Sequence, residues 1–446
     1  VGKAWRSWLQ RNRQQLTARS VINLDGMIDI ALLRERRDEL AESLGRRGAE
    51  FDLDALVDLD AQRRAVRTQA EELRSQQREI GKSISKLAGE DKSAAIESAA
   101  ALSEDYKRLL ADADRLDEEF NAIWIQLPNM TDPTAADGFE EEDAVELYRI
   151  GEPPQFGFEP RDHVELGTDL DIVDIDRATK ISGSRFGMIK GQLAILEFSL
   201  VRYVMDNLMD HGFTPVIPPV LVREQALVGT GFFPGDREQV YSVEQDDLFL
   251  VGTSEVPLAA MHGDEIFEDD DLPLRYAGYS TCFRVEAGTY GKDTRGMFRV
   301  HQFDKAEMFS FVHPDRSQDE HDFLLAREEE LIQDLELPYR VVNVAAGDLG
   351  NSAAKKYDIE AWFPGQDRYR EITSTSNTTD FQSRRLRIRF KDTAGRNRFV
   401  HTLNGTAIAL GRTLIALMEN HQDAEGSIRI PEALIPYTRF SSIDPS

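Results

Sequence analysis

Residues 283–303 read FRVEAGTYGKDTRGMFRVHQF. Arg284 and Arg299 stand at either end of a turn that carries Gly288, Gly291 and Gly296. A guanidinium group grips phosphate oxygens through a planar, two-pronged donor set. Glu286 follows Arg284 by two residues, a spacing that puts both on one face of a strand. Its carboxylate can accept from the exocyclic amine of a base, and Phe303 offers a ring for stacking. Two strands joined by a flexible loop would bring Arg284 and Arg299 together, with Lys292 and the glycines able to close over a triphosphate. The set suits a nucleotide. An Arg-x-Glu pair in a strand is also a common structural ion pair, so the assignment leans on what surrounds it.

Four further segments carry matching chemistry. GTSEVPL (252–258) predicts a strand with Thr253 and Glu255 on one face and Ser254 between them. QFDKAE (302–307) adds Glu307. YREITSTSN (369–377) adds Glu371, Ile372, Thr373, Ser374, Thr375 and Ser376. TLNGTAIALGR (402–412) adds Asn404, Thr406 and Arg412, and predicts a strand that enters a helix at Gly405-Thr406. Hydroxyls are common in strands, and Asn404-Gly405 alone would pass for a turn. Together the segments predict carboxylates, hydroxyls and arginines on the strands of one sheet.

The rest of the chain must position them. Its 446 residues allow two or three domains and a sizeable core. Apolar residues make up 41% and charged residues 30%, and no run of eighteen apolar residues exists to span a membrane. The charge balance, 53 − 80 = −27, argues against a nucleic-acid binder unless a basic stripe is local. A single cysteine, Cys282, excludes an internal disulfide framework and a cysteine-built zinc site, and fits a reducing cytoplasm. Residues 1–26 hold Lys3, Arg6, Arg11, Arg13 and Arg19 against Asp25, and are expected to be an upstream extension or a start placed too early rather than a targeting segment.

Residues 56–127 predict two long helices. Leu59, Val66, Leu73, Ile80 and Leu87 recur every seven residues; Leu102, Tyr106, Leu109, Ala113, Leu116, Phe120, Ile123 and Leu127 alternate steps of four and three. With Ala88-Gly89-Glu90-Asp91 as the turn, the two fold into an antiparallel hairpin roughly 45–50 Å long, at about 1.5 Å per residue. Between 60 and 92 lie Arg63, Arg64, Arg67, Arg74, Arg78, Lys82, Lys86 and Lys92 against six acids, whereas 93–127 holds three basic and eight acidic residues. That asymmetry fits either a solvated coiled coil or a basic face for a polyanion. Proline, glycine and acid then dominate, and a linker is expected over 136–165. From 166 onward an amphipathic helix at 186–210 and many short β-rich runs predict an α+β domain, an antiparallel sheet flanked by helices.

In their order and content these motifs resemble the seryl-tRNA synthetases of bacterial type, within the class II aminoacyl-tRNA synthetases. GFTPVIPPVLV resembles class II motif 1, with Pro219 as its proline; FRVEAGTYGKDTRGMFRVHQF resembles motif 2 and TLNGTAIALGR motif 3. SGSRF (182–186), TSEVPL and TSNTTDFQSRR (375–385) resemble seryl-specific surroundings. The resemblance begins at Met27 and implies a helical arm domain at 27–135, a linker at 136–165 and a class II catalytic domain at 166–446. It implies ATP-dependent attachment of L-serine to tRNA(Ser), and to tRNA(Sec) where present, through seryl-adenylate. Arg284 would hold the α-phosphate; Glu286, Val300 and Phe303 would frame adenine; Arg299 and Arg412 would take the distal phosphates; Val285, Ile372 and Thr373 would complete the ATP site. Glu371 and Ser374 would ligate Mg²⁺. Thr253, Ser254, Glu255, Glu307, Asn404 and Thr406 would surround serine. Arg63, Arg64, Arg67, Arg74, Arg78 and Lys82 would meet the tRNA, and motif 1 would join a homodimer. Neither DNA, membrane nor zinc is implied. Thr289-Tyr290 and Thr375 depart from the family pattern. A paralogue that loads a carrier protein would lack the arm, a non-catalytic relative would lose Arg284, Glu371 or Arg412, and an inhibitor-resistant copy would differ near Thr289, Tyr290 and Thr375.

Overall fold

The computed structural model describes residues 28–287 and 295–445. The expectations for residues 1–26 and for Gly288, Thr289, Tyr290, Gly291 and Lys292 lie outside the described residues.

Two short helices, α1 (Ile30–Glu35) and α2 (Arg37–Arg46), lead into the hairpin of α3 (Leu53–Ile84) and α4 (Gly89–Trp124). The turn is residues 85–88, so Gly89, Glu90 and Asp91, expected in it, instead open α4. Acidic side chains in a first turn are favoured by the helix dipole, and that moves the boundary. The root of the hairpin is a small core in which Phe120, Trp124, Leu33, Leu40 and Leu56 are buried.

Arg63, expected on the basic face, is buried at this root. Its ring of partners is Asp60, Asp117 and the face of Phe120, 4.3 Å from the guanidinium carbon. Leu56, Arg63 and Ala70 are buried and seven apart, so Arg63 occupies a seam position between the Leu59 and Val66 turns. Arg64 bonds Asp60 at 3.0 Å, and Arg67 pairs with Asp117. Arg74 lies over Tyr106. Arg78 and Lys82 are exposed, Lys82 beside Glu79. The basic face therefore starts farther out than the sequence implies.

The part of the chain beyond the hairpin is built on an eight-stranded sheet. Its strands are β1 (Val145–Ile150), β2 (Thr214–Val216), β3 (Leu274–Phe283), β4 (Gln302–Val312), β5 (Tyr339–Asn343), β6 (Lys355–Phe363), β7 (Arg368–Asn377) and β8 (His401–Ala409). They run in the order β1-β5-β6-β7-β8-β4-β3-β2, antiparallel throughout except β2 beside β3. β1 falls inside the segment expected to be linker. Its six residues are all exposed, so it carries no buried face for a sequence pattern to reveal. Asn129, just before that segment, donates to Ser352 O at 2.9 Å and Thr378 O at 2.8 Å, which ties the end of the arm domain to the sheet.

Helices α5 (Gly191–Asp210), α7 (Ser317–Asp334) and α9 (Leu410–Asn420) pack with the sheet in one large core. The helix expected from 186 starts at Gly191, because Arg185 and Gly191 have positive φ and Ile189 bridges to Val173. Two shorter helices, α6 (Glu255–Ala260) and α8 (Phe381–Leu386), frame the opposite face.

Candidate active site

Cross-strand register decides which side chains meet. Glu307 on β4 stands opposite Thr406 on β8 and Gly278 on β3. Asn404, two residues before Thr406, shares that face and is opposite Ser376. Gly278 is required by close approach: a Cβ there would lie 2.7 Å from Leu258 and 3.2 Å from Ser254 Oγ, both at α6. Gly405 is likewise mid-strand. A Cβ on it would lie 2.7 Å from Glu328 Oε1 on α7, and the helix expected to begin at Gly405-Thr406 begins at Leu410.

TSEVPL is not a strand. β-structure ends at Leu250, and Glu255 is the first residue of α6. Thr253 Oγ1 accepts from the Glu255 amide at 3.2 Å, and Pro257 is tolerated in a first turn, where its missing N–H has no intrahelical role. The turn swings Glu255 over the sheet. Ser254, expected in the serine site, instead donates to Gly278 O at 3.2 Å and fixes α6 to β3.

Glu255 and Glu307 thus face one another in a buried polar pocket. Asn404 Nδ2 donates to Glu255 Oε1 at 3.1 Å, and Gln382 Nε2 from α8 donates to the same oxygen at 2.7 Å. Thr406 Oγ1 donates to Glu307 Oε2 at 3.4 Å, and Lys305 pairs with that oxygen. Burial, then the negative charge of Glu307, pushes the Glu255 carboxyl up to about 7. A pocket that raises a carboxyl this way gains most from a cation, since opposite charge restores the ionised form.

Beside it lie the phosphate-type donors. β3 ends at Phe283, so Arg284 and Glu286 follow the strand rather than share its face, and Glu286 has φ +56°. Arg284 Nε donates to Gly252 O at 3.2 Å, and its guanidinium lies over Phe303, 5.2 Å from the ring centre. Val285 N bonds Gln239 O at 2.9 Å. Arg299 Nη1 donates to Glu286 Oε2 at 2.9 Å, so Glu286 pairs with the arginine at the far end of the turn rather than with Arg284, the partner weighed from sequence, and the bond joins the two ends of the turn. Val300 and Phe303 line a cavity of about 270 Å³ with Phe186 and Met297.

β7 holds the remaining oxygens. Glu360 pairs with Glu371 and Ile359 with Thr373, so Ile372 is an extra residue, a β-bulge. The bulge resets the alternation: Glu371 and Ser374, three apart, share one face with Asp358 of β6. Ile372 is in the core and Thr373 turns to Glu328 behind the sheet, bonding it at 3.0 Å. Only the backbone of these two is on the site side. Arg412, at the start of α9, donates to Glu371 O at 2.9 Å and lies 3.3 Å from its carboxylate. Burial works to raise Glu371, but Arg412 and then Lys356 outweigh it and hold the carboxylate well below its ordinary range. Lys356 also pairs with Asp358 at 2.9 Å.

Sequence reasoning missed Gln382, Lys356 and Asp358. Gln382 sits inside TSNTTDFQSRR, which is the signal that was available. Lys356 and Asp358 belong to a strand with no motif of its own.

Comparisons with known proteins match both parts of this architecture. The family model described as the seryl-tRNA synthetase N-terminal domain matches residues 27–131, and that of the tRNA synthetase class II core domain (G, H, P, S and T) matches residues 239–421. The chain is 49% identical over 420 residues to a serine–tRNA ligase of Thermobifida fusca, covering 94% of this chain and 99% of the relative. It is 50% identical over 415 residues to that of Streptomyces coelicolor, covering 92% and 97%. Among solved structures it resembles seryl-tRNA synthetase from Pyrococcus horikoshii complexed with ATP, with a TM-score of 0.89 and 41% identity over 94% of this chain and 100% of that one. With a helical hairpin at one end, a class II sheet at the other and relatives of this kind along nearly its whole length, the chain belongs to the seryl-tRNA synthetase family of class II aminoacyl-tRNA synthetases.

Proposed function

We infer that the chain is a serine–tRNA ligase, which activates L-serine with ATP and transfers it to tRNA(Ser), on the sheet face bounded by α6, α8 and the turn between β3 and β4. The observation that carries this is the register of β3, β4 and β8. It gathers Glu307, Thr406, Asn404 and Glu255 into one buried polar pocket beside Arg284, Glu371 and Arg412.

In this reading Glu255 accepts the serine ammonium, with Thr253 and Asn404 fixing its orientation. Glu307 and Thr406 engage the hydroxyl. Arg284 holds the α-phosphate, while Arg299 and Arg412 hold the distal ones. Glu286 meets the adenine amine, and Phe303 its ring face. A serine carboxylate oxygen then attacks the α-phosphorus in line, pyrophosphate departs, and seryl-adenylate remains. The terminal ribose hydroxyl of tRNA next attacks the serine carbonyl and AMP departs. No side chain here serves as a nucleophile; positioning and charge stabilisation supply the rate.

Glu371 and Ser374 present hard oxygen donors on one strand face, a set that fits Mg²⁺. Held there by Glu371 and Ser374, the ion would supply positive charge against the phosphates of ATP.

Two partners complete the proposal. The exposed end of the hairpin, from Arg74 outward, offers Arg78, Lys82 and Lys86 to a tRNA backbone, recognised by shape and charge; tRNA(Sec) would use the same surface. A second copy is expected on motif 1. Phe198 on α5 is 68% exposed and Ile217, just past edge strand β2 and near exposed Pro219, is 84% exposed, an apolar face that a homodimer would cover. No helix among the described residues is long and apolar enough to cross a membrane.

Pyrophosphate exchange with each amino acid in turn, followed by charging of tRNA(Ser), tests this function. Serine alone should support both at high efficiency. Preference for another amino acid in the exchange assay would overturn it.

A further inference from the structure

Helix α8, only six residues long, touches two places at once. Gln382 is fully buried. Its Nε2 donates to Glu255 Oε1 at 2.7 Å and to Thr230 O at 3.3 Å, and its Oε1 accepts from Thr402 Oγ1 at 3.0 Å. One residue earlier, Phe381 belongs to the core of the hairpin root, with Leu33, Phe120 and Trp124. Arg385 caps that ring at 3.4 Å and bonds Phe381 O at 3.2 Å and Ile125 O at 3.5 Å. Arg384 reaches Asp29, ahead of α1, at 3.5 Å.

We propose that α8 is a positioning strut between the hairpin root and the amino-acid pocket: the packing of Phe381 sets the placement of Gln382, and Gln382 orients Glu255 for the serine ammonium. This rests on the reading of Glu255 as the ammonium acceptor. Both neutral amides, from Gln382 and Asn404, fall on Oε1, which leaves Oε2 for the ligand. An amide is suited to this task because it orients a carboxylate without cancelling its charge; a lysine there would compete with the substrate's own ammonium. Phe381 and Gln382 are consecutive in one helical turn, so a shift of one moves the other. Ser383, also buried, bonds Val400 O at 2.6 Å, which limits rotation of the helix as an alternative response.

The test uses the full chain and pyrophosphate exchange, with KM for serine and for ATP measured separately. Glu255→Gln is the control for the pocket itself. Gln382→Met keeps the side-chain length and removes every hydrogen bond. It should raise KM for serine about tenfold, the worth of one hydrogen bond to a charged group, with KM for ATP changed by less than about twofold. The acid limb of kcat/KM for serine should also move to higher pH, a readout that loss of packing alone would not produce. Phe381→Met, a substitution cores tolerate, touches no pocket residue and should still raise KM for serine about threefold with KM for ATP unmoved. If Phe381→Met lowers the melting temperature sharply, Leu33→Ala probes the same root from the arm side with the same expectation. No effect of Glu255→Gln would sink the pocket reading itself. An effect of Glu255→Gln without one of Gln382→Met, or no shift in serine KM from the root variants, would overturn the strut.

Discussion

Thr406 and Glu307 face each other across β8 and β4, with Thr406 Oγ1 donating to Glu307 Oε2 at 3.4 Å and Lys305 paired with the same oxygen. On the proposed reading, a substrate hydroxyl entering between them would meet an acceptor already paired with Lys305. Glu307→Gln should therefore lower kcat/KM for serine by about 10–100-fold, the range for a buried hydrogen bond to a charged group. Alanine use should fall far less. Both amino acids feel the loss of the Lys305 partner alike, so the serine-to-alanine ratio isolates the hydroxyl. An unchanged ratio in pyrophosphate exchange would remove Glu307 from that role.

Glu255 links the pocket to pH. Its carboxyl rises from an ordinary 4.5 to about 7 through burial first and Glu307 second. Below pH 4.5 the group is neutral folded and unfolded. As pH rises through 7 the folded state must carry a buried charge, so stability is lost in that window. Glu255→Gln should match wild type in urea unfolding at pH 4.5 and exceed it at pH 8 by on the order of 2–3 kcal/mol. Serine activation by wild type should fall as pH drops below 7, and the variant should be poor at every pH.

The hairpin can be shortened, provided its root stays. Removing residues 71–109 behind a short linker keeps Arg63, Phe120 and Trp124 packed with Phe381. Serine-dependent pyrophosphate exchange should then hold within about twofold while tRNA charging falls at least about 100-fold, because backbone contacts supply most nucleic-acid affinity. A cut taking all of 58–125 would strip Phe120 and Trp124 from Phe381 and should lose both activities. Equal loss of both in the shorter deletion, with the protein folded, would sink the division of labour.

Asp60 holds that root together. It is 1% exposed and bonds Arg34 at 2.8 Å, Arg63 at 2.8 Å and Arg64 at 3.0 Å. Burial works to raise its carboxyl, but Arg34 and Arg63 outweigh that and hold it at about 2. A depressed value stabilises the fold above the ordinary 3.8 and is lost as pH falls towards 2. Asp60→Asn should therefore cost about 3 kcal/mol in urea unfolding at pH 7, where it leaves buried Arg63 short of a partner, and less as pH drops below 4.

Salt dependence checks the outer basic face. Arg78 and Lys86 are exposed on α3 and its end. Replacing both with glutamine should flatten the slope of log affinity for tRNA against log salt by roughly 1.5 and leave serine activation unchanged. Replacing Arg63 instead should act on stability. An unaltered slope would move the tRNA contact elsewhere.

Much of this protein is written in its chain order. The heptads of α3 and α4 declare a hairpin because apolar spacing is a local property, and each motif lists chemical types that survive without coordinates. Arg284, Glu307, Glu371 and Asn404 are found on strands or strand ends within a few residues of where their segments put them, and Arg412 is in the helix that follows β8, though that helix starts after Thr406 rather than at it. What the chain order does not hold is register. The bulge at Ile372 exists only because β6 pairs on either side of it, and without the bulge Glu371 and Ser374 would point to opposite faces. Gly405 looks like a turn until Glu328 is seen 2.7 Å from its missing Cβ. Arg63 looks like surface charge until Asp60, Asp117 and Phe120 close around it, and Gln382 is one polar residue among many until α8 lays it on Glu255. Chemical type and periodicity are properties of neighbours along the chain. Faces, burial and ion pairing are properties of neighbours across it, and those follow from packing energies that only the folded arrangement brings together.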